Sequence, residues 1–149
     1  MASTGKPTPI LASADDAETQ FYEALQAADL DALTGIWADE DEVACVLPGG
    51  PRVVGLAAIR QVCEELFSAN GPLQVVPQQV RRLALGTCAV HHVTERLQID
   101  TPHGAQAAYI LATNVYVQTA QGWRMVAHHA SPGLPEEPPQ FAPTGSHLH

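Results

Sequence analysis

Residues 105–131 read AQAAYILATNVYVQTAQGWRMVAHHAS, and the way this stretch folds decides the architecture of the whole chain. Two long runs rich in apolar, β-branched and aromatic residues, 105–119 and 123–131, are parted by little more than the turn signal Gln121-Gly122. Parallel strands need a crossover of a dozen residues or more, so so short a separator demands an antiparallel hairpin. Upstream, 73–85 and 88–99 are also strand-like, divided by Gly86-Thr87, and DTPHG (100–104) joins the second of them to residue 105. The four runs therefore form an antiparallel meander. Pro77 cannot donate to a ladder, so the first run lies at a sheet edge or carries a bulge. AAYILATNVYV (107–117) is apolar at nearly every position, which calls for cover on both faces of its strand.

The first half of the chain supplies one of those covers. Ser13 and Asp16 resemble a capping box, and Ala17, Phe21, Leu25 and Ala28 recur at helical spacing behind it. Asp29 is the N-cap candidate of a second, short helix with Leu30, Leu33 and Trp37 on one face. VACVL (43–47) reads as a short buried strand, and PGGPRVVG (48–55) as a turn-rich connection. Ile59, Val62, Cys63, Leu66 and Phe67 then form an amphipathic stripe that ends at Asn70-Gly71-Pro72. The expected fold class is α+β, with three N-terminal helices packed on one face of a curved, mainly antiparallel sheet. The other face needs a partner, and a second copy of the chain is the expected one.

The folded unit is expected over 13–132, between a flexible leader (1–12) and a Pro-rich disordered tail (133–149). A formal net charge of −9 argues against nucleic acid and anionic membrane surfaces, which need clustered Lys and Arg. Ten acidic residues and no basic one lie between Pro7 and Pro51, which reads as a solvated acidic face. No apolar stretch reaches transmembrane length. Cys45, Cys63 and Cys88 are widely spaced and odd in number, as reduced thiols of a cytoplasmic protein would be. PGGP (48–51) lacks the lysine of a phosphate loop, G-x-S-x-G is absent, and no cofactor is expected.

The order helix, short helix, strand, helix, four-strand meander resembles the cone-shaped, cystatin-like fold of the NTF2-like superfamily, which includes ketosteroid isomerases and SnoaL-like polyketide cyclases. AADLDALTGIWADEDEV (27–43) is similar to the superfamily's helix–Asp–helix–acidic turn, and GGPRVVGLAAIRQ (49–61) to the approach to its third helix. GWRMVAHHAS (122–131) is similar to the last strand of the SnoaL-like and DUF4440-type branch. The resemblance implies a pocket between helices and sheet holding a small apolar metabolite. It further implies either isomerase- or cyclase-type acid/base chemistry on a carbonyl compound, or a non-catalytic dimeric module for ligand sensing or assembly. Against the ketosteroid isomerases, the strand that should carry the basic aspartate reads VACVLP, with Cys45 its only titratable group. The oxyanion-hole tyrosine falls on Phe21, one place from Tyr22, and the second oxyanion donor falls on Asn114, which marks the pocket side of its strand.

With Gln121-Gly122 as the turn, Ala120 faces Trp123, and Asn114 lies opposite His129 on the pocket face. His129 is then the candidate general acid or base, with Asn114 orienting it or polarising a carbonyl. The same pair could equally be a hydrogen-bonded lock on the hairpin. Tyr22, Trp37, Asn114 and His129 are the expected ligand-binding residues, and His128 points toward the partner subunit. His91 and His92 repeat the doublet, but one strand separates them from His128 and His129, about 9.6 Å at twice the usual spacing, so no metal site is expected.

Overall fold

The computed structural model describes residues 10–134. Ser13 starts the first helix as its spacing requires: its Oγ accepts the Asp16 N–H at 3.0 Å, and α1 runs Ala14–Ala27. Asp29 Oδ1 accepts from Ala32 N–H in the same manner and opens α2, Leu30–Gly35. The short strand β1 (Ala44–Val46) follows. The turn-rich connection after it contains a further strand, β2 (Arg52–Val54), which pairs antiparallel with β1. α3 spans Leu56–Asn70 and buries Ile59 and Cys63 on the stripe read from the sequence.

The meander is β3 (Val75–Leu85), β4 (Cys88–Thr101), β5 (Gly104–Thr119) and β6 (Gly122–Pro132). The sheet order is β2-β1-β6-β5-β4-β3, antiparallel except where β1 runs parallel to β6. β3 is an edge strand and is also bulged between Gln78 and Arg81, so both readings of Pro77 hold. Gln79 takes a positive φ of 49° in that bulge. The helices lie on one face, where Phe21, Leu25, Leu33, Ile36, Ile59, Tyr116 and Met125 share the core. The architecture is thus the α+β, curved, mainly antiparallel arrangement expected.

Part of the segment read as leader is fixed in place. Leu11 is buried, and its carbonyl accepts the Trp123 N–H at 2.8 Å. That contact requires Gly122: its φ is +97°, and a Cβ there would stand 2.8 Å from Leu11 O. Residues 1–9, and the tail from 135, lie outside the described residues.

The β5–β6 register differs from the expected one in two ways. Thr119 pairs with Gly122, so the turn is Ala120-Gln121, one place earlier. That change alone would set Ala127 opposite Asn114 and leave His129 on the same face. The second change reverses the faces. Val115 pairs with Ala127 and Tyr116 with Met125, so Val126 is an extra residue on β6. A one-residue bulge sends every side chain beyond it to the other side of the sheet. Asn114 therefore faces His128, and His129 pairs with Thr113 on the open face.

Candidate functional site

Between the helices and the sheet lies a cavity of about 500 Å³. Most of its wall is apolar, with Phe21, Leu25, Leu33, Trp37, Leu66 and Ile110 among the contributors. A carboxyl and an imidazole from the sheet, Glu95 on β4 and His128 on β6, interrupt that wall. They are the two ends of one buried hydrogen-bonded chain. His128 Nδ1 meets Asn114 Oδ1 at 2.5 Å, Asn114 Nδ2 donates to Tyr22 Oη at 3.0 Å, and Tyr22 O–H donates to Glu95 Oε2 at 2.7 Å. Asn114 is wholly buried, as are all but about 5% of Glu95 and 4% of His128.

The directions of these bonds fix the protonation pattern. An amide oxygen can only accept, so His128 Nδ1 carries the proton and Nε2 is the acceptor nitrogen. Burial, and secondarily the neighbouring His129, hold the His128 pKa down at about 4, so the ring is neutral at pH 7. Glu95 moves the opposite way. Burial raises its pKa to about 7; Glu18 adds to the rise, and the Tyr22 hydrogen bond partly offsets it. At neutral pH this carboxyl is therefore populated both with and without its proton. Tyr22 itself is held far above the usual phenol range, by burial first and by the Glu95 charge second, and stays protonated. Cys45, also in the cavity wall, is pushed up to about 12 by burial and remains a thiol.

Behind this chain stands a second buried cluster. His91 Nδ1 lies 2.9 Å from Glu18 Oε2, and Tyr116 O–H reaches the same oxygen at 3.5 Å. Arg82 joins it to the surface through Asp15, at 2.8 Å, with Glu18 Oε1 at 3.9 Å. Neither Glu18 nor His91 lines the cavity, so this cluster braces α1 against β4 and β5.

Of the residues singled out from sequence, Trp37 lines the cavity; Tyr22 and Asn114 stand immediately behind its wall and link Glu95 to His128. His129 does not join them. It is exposed on the open face, in a shallow hollow with Arg81, His92, Thr113 and Ser131, and His92 Nδ1 lies 3.2 Å from Thr113 Oγ1. The Val126 bulge thus corrects the site: the buried imidazole beside Asn114 belongs to His128, and the role expected for His129 loses its geometry. His128 likewise points to the cavity and not to a partner subunit.

Sequence reading missed Glu95. The signal was available in the β4–β5 hairpin, where Thr101 pairs with Gly104 and the register runs unbroken to His91 opposite Asn114. Counting from that turn puts His91, Val93, Glu95 and Leu97 on the face of Asn114.

This chain matches the family model described as a SnoaL-like domain over residues 15–135. Among solved structures, it is similar to a protein of Thiobacillus denitrificans described as a calcium/calmodulin-dependent protein kinase type II association domain. The two share 36% identity over 85% of this chain and 99% of that one, with a TM-score of 0.77. An NTF2-like protein of Streptomyces avermitilis described as a dehydratase is 27% identical over 79% of this chain and 92% of its own, with a TM-score of 0.70. An uncharacterized Caulobacter vibrioides protein with a cystatin-like fold, 16% identical, aligns over 81% of this chain and 87% of its own at a TM-score of 0.68. No curated protein matches the chain. With a family match across most of its length and helices set on a curved, unclosed sheet, the chain belongs to the SnoaL-like domain family of the NTF2-like superfamily.

Proposed function

We propose that the cavity binds a small, largely apolar carbonyl compound and moves a proton on it, with Glu95 as the acid/base. The observation that carries this reading is a carboxyl with a pKa near 7, set in an apolar wall and hydrogen-bonded to Tyr22. A group that titrates near the working pH gives and takes protons with comparable ease. In the base form, the Glu95 carboxylate removes a proton from the carbon beside the carbonyl, leaving an enolate and a neutral carboxyl. Where the compound is an enone, returning that proton to the far carbon of the dienolate completes an isomerisation. Where it carries a second carbonyl, attack of the enolate carbon on that carbonyl carbon opens its C=O π bond, and the new alkoxide takes the proton back from Glu95 to complete a cyclisation. Tyr22 and Asn114 position the carboxyl, and His128 Nε2 offers an acceptor for a hydroxyl of the ligand. Three free thiols favour a reducing, cytoplasmic setting for this activity.

A thermal-shift screen of apolar ketones and enones, followed by deuterium exchange at the carbon beside the carbonyl, tests the proposal. Wild-type protein should catalyse exchange of a bound ketone, and Glu95→Gln should bind the same ketone while losing at least a hundredfold in exchange rate. Binding with no exchange in either form would remove the catalytic part.

A second reading is an assembly module, favoured by the 36% identity to the protein described as a kinase association domain. In that reading the open face of the sheet, with Leu111 46% exposed, pairs with a second copy. The two readings are compatible, since the cavity lies on the helix-covered side of the sheet and Leu111 on the other.

A further inference from the structure

One nitrogen in the cavity wall is left over by the hydrogen-bonded chain. His128 sits where β6 is paired on both sides, opposite Asn114 on β5 and Cys45 on β1, so its imidazole hangs from a fixed backbone. Nδ1 donates to Asn114, and no group among the described residues pairs with Nε2 on the far edge of the ring. Among those residues, the one side-chain nitrogen or oxygen that is both unpartnered and sealed from contact is Trp37 Nε1. His128 Nε2 therefore keeps surface that a ligand can reach, and the ring lines the cavity beside Phe21, with ring centroids 5.0 Å apart. With its proton on Nδ1 and the ring neutral at pH 7, Nε2 accepts a hydrogen bond and cannot donate one.

The rest of the wall narrows the ligand. Neither Lys nor Arg contributes to it, while Glu65 and Glu95 both do, so an anion would lose its hydration with no cation to meet it. A neutral ligand whose apolar body rests against Leu25, Leu66 and Ile110 avoids that cost, but it covers Nε2 and strips its water. An acceptor buried in this way calls for a donor, and a site that holds one discriminates against analogues that cannot donate. Glu95 has a separate task on β4, with β5 between it and His128. Its Oε2 accepts the Tyr22 O–H, which leaves Oε1 for the reacting C–H.

We infer that the cavity selects a hydroxy-carbonyl compound, whose hydroxyl donates to His128 Nε2 at a point set apart from the carbon that Glu95 deprotonates. The inference rests on the ligand-binding reading of the cavity and names the class of compound within it. It makes His128 a specificity-determining residue that takes no part in proton transfer.

The test uses 2-adamantanone and its 5-hydroxy, 5-fluoro and 5-amino derivatives, which share one rigid body that cannot enolise, so binding is read apart from proton transfer. Fluorine is close to hydroxyl in size but donates nothing. In protein labelled with nitrogen-15 at its seven histidines, the contact with Phe21 identifies the His128 ring. The hydroxyketone should bind about fivefold or more tightly than the fluoroketone and the parent ketone. It should also move the Nε2 signal upfield, as an imidazole nitrogen moves on accepting a hydrogen bond, while those two ketones should not. His128→Phe should bring the hydroxyketone within twofold of the fluoroketone, whose own affinity should change less than twofold. Equal binding of hydroxy- and fluoroketone, tighter binding without the nitrogen shift, or an amine tighter than the hydroxyketone would overturn the inference and leave the cavity reading intact. Failure of all four to bind the wild-type protein would overturn both. The nitrogen signal is read on unsubstituted protein, so the test stands even if His128→Phe folds poorly.

Discussion

Glu95 and His128 are buried within one hydrogen-bonded chain, yet they bias stability toward opposite ends of the pH scale. Glu95 has a native pKa near 7 against an ordinary 4.5, so between those values the native state keeps a proton that the unfolded chain has lost. Its contribution is full below about 4.5 and is lost as pH rises through 7. His128, held near 4 against an ordinary 6.5, contributes fully above 6.5 and loses that contribution as pH falls through 4. Across pH 4.5–6.5 the two slopes oppose each other. Glu95→Gln should therefore unmask the histidine: in urea denaturation its stability should climb by about 1 kcal/mol per pH unit from 4.5 to 6.5, where the wild type is nearly flat. It should also exceed the wild type by a few kcal/mol at pH 8. Parallel curves for the two proteins would show that Glu95 titrates normally. Asn114→Ala, which strands both Tyr22 and His128, should cost about 3 kcal/mol by the same measurement; a loss below 1 kcal/mol would mean that water replaces the amide.

At the scale of elements, the parts of the fold legible in the sequence are those set by local chemistry. Ser13 and Asp29 cap their helices, the Ile59–Cys63 stripe is buried, and Pro77 marks a strand that is both edge and bulged. The site was less legible, because it depends on parity. Asn114, Tyr22 and Trp37 could be picked out, but the choice between His128 and His129 turned on one extra residue, Val126, which no turn or propensity signal announces. Glu95 was reachable from the Thr101–Gly104 turn, and β2 was hidden inside a Pro/Gly-rich connection too short to show alternation. The β5–β6 hairpin also supplies a test of how it is held. Gly122→Ala meets Leu11 O at 2.8 Å at a positive φ and should lower stability by about 2–4 kcal/mol. Gly86→Ala, also at positive φ but with nothing within 4 Å, should cost about 1 kcal/mol. Equal losses in thermal unfolding would mean that the Leu11 segment yields freely.

For the molecule as a whole, one sheet face is covered by helices and encloses the cavity, while the other carries exposed Leu111 beside the His92–Thr113–His129 row. If a second copy covers that face, light scattering should give twice the 15.8 kDa chain mass, and Leu111→Asp should return the chain to a monomer without loss of ketone binding. A monomeric wild type would leave the cavity as the molecule's principal functional feature. Proton transfer in that cavity depends on the protonation of Glu95. Carbon-13 NMR of glutamate-labelled protein, with Glu95→Gln to assign the signal, should show its carboxyl titrating with a midpoint near pH 7; a midpoint near the ordinary 4.5 would contradict it.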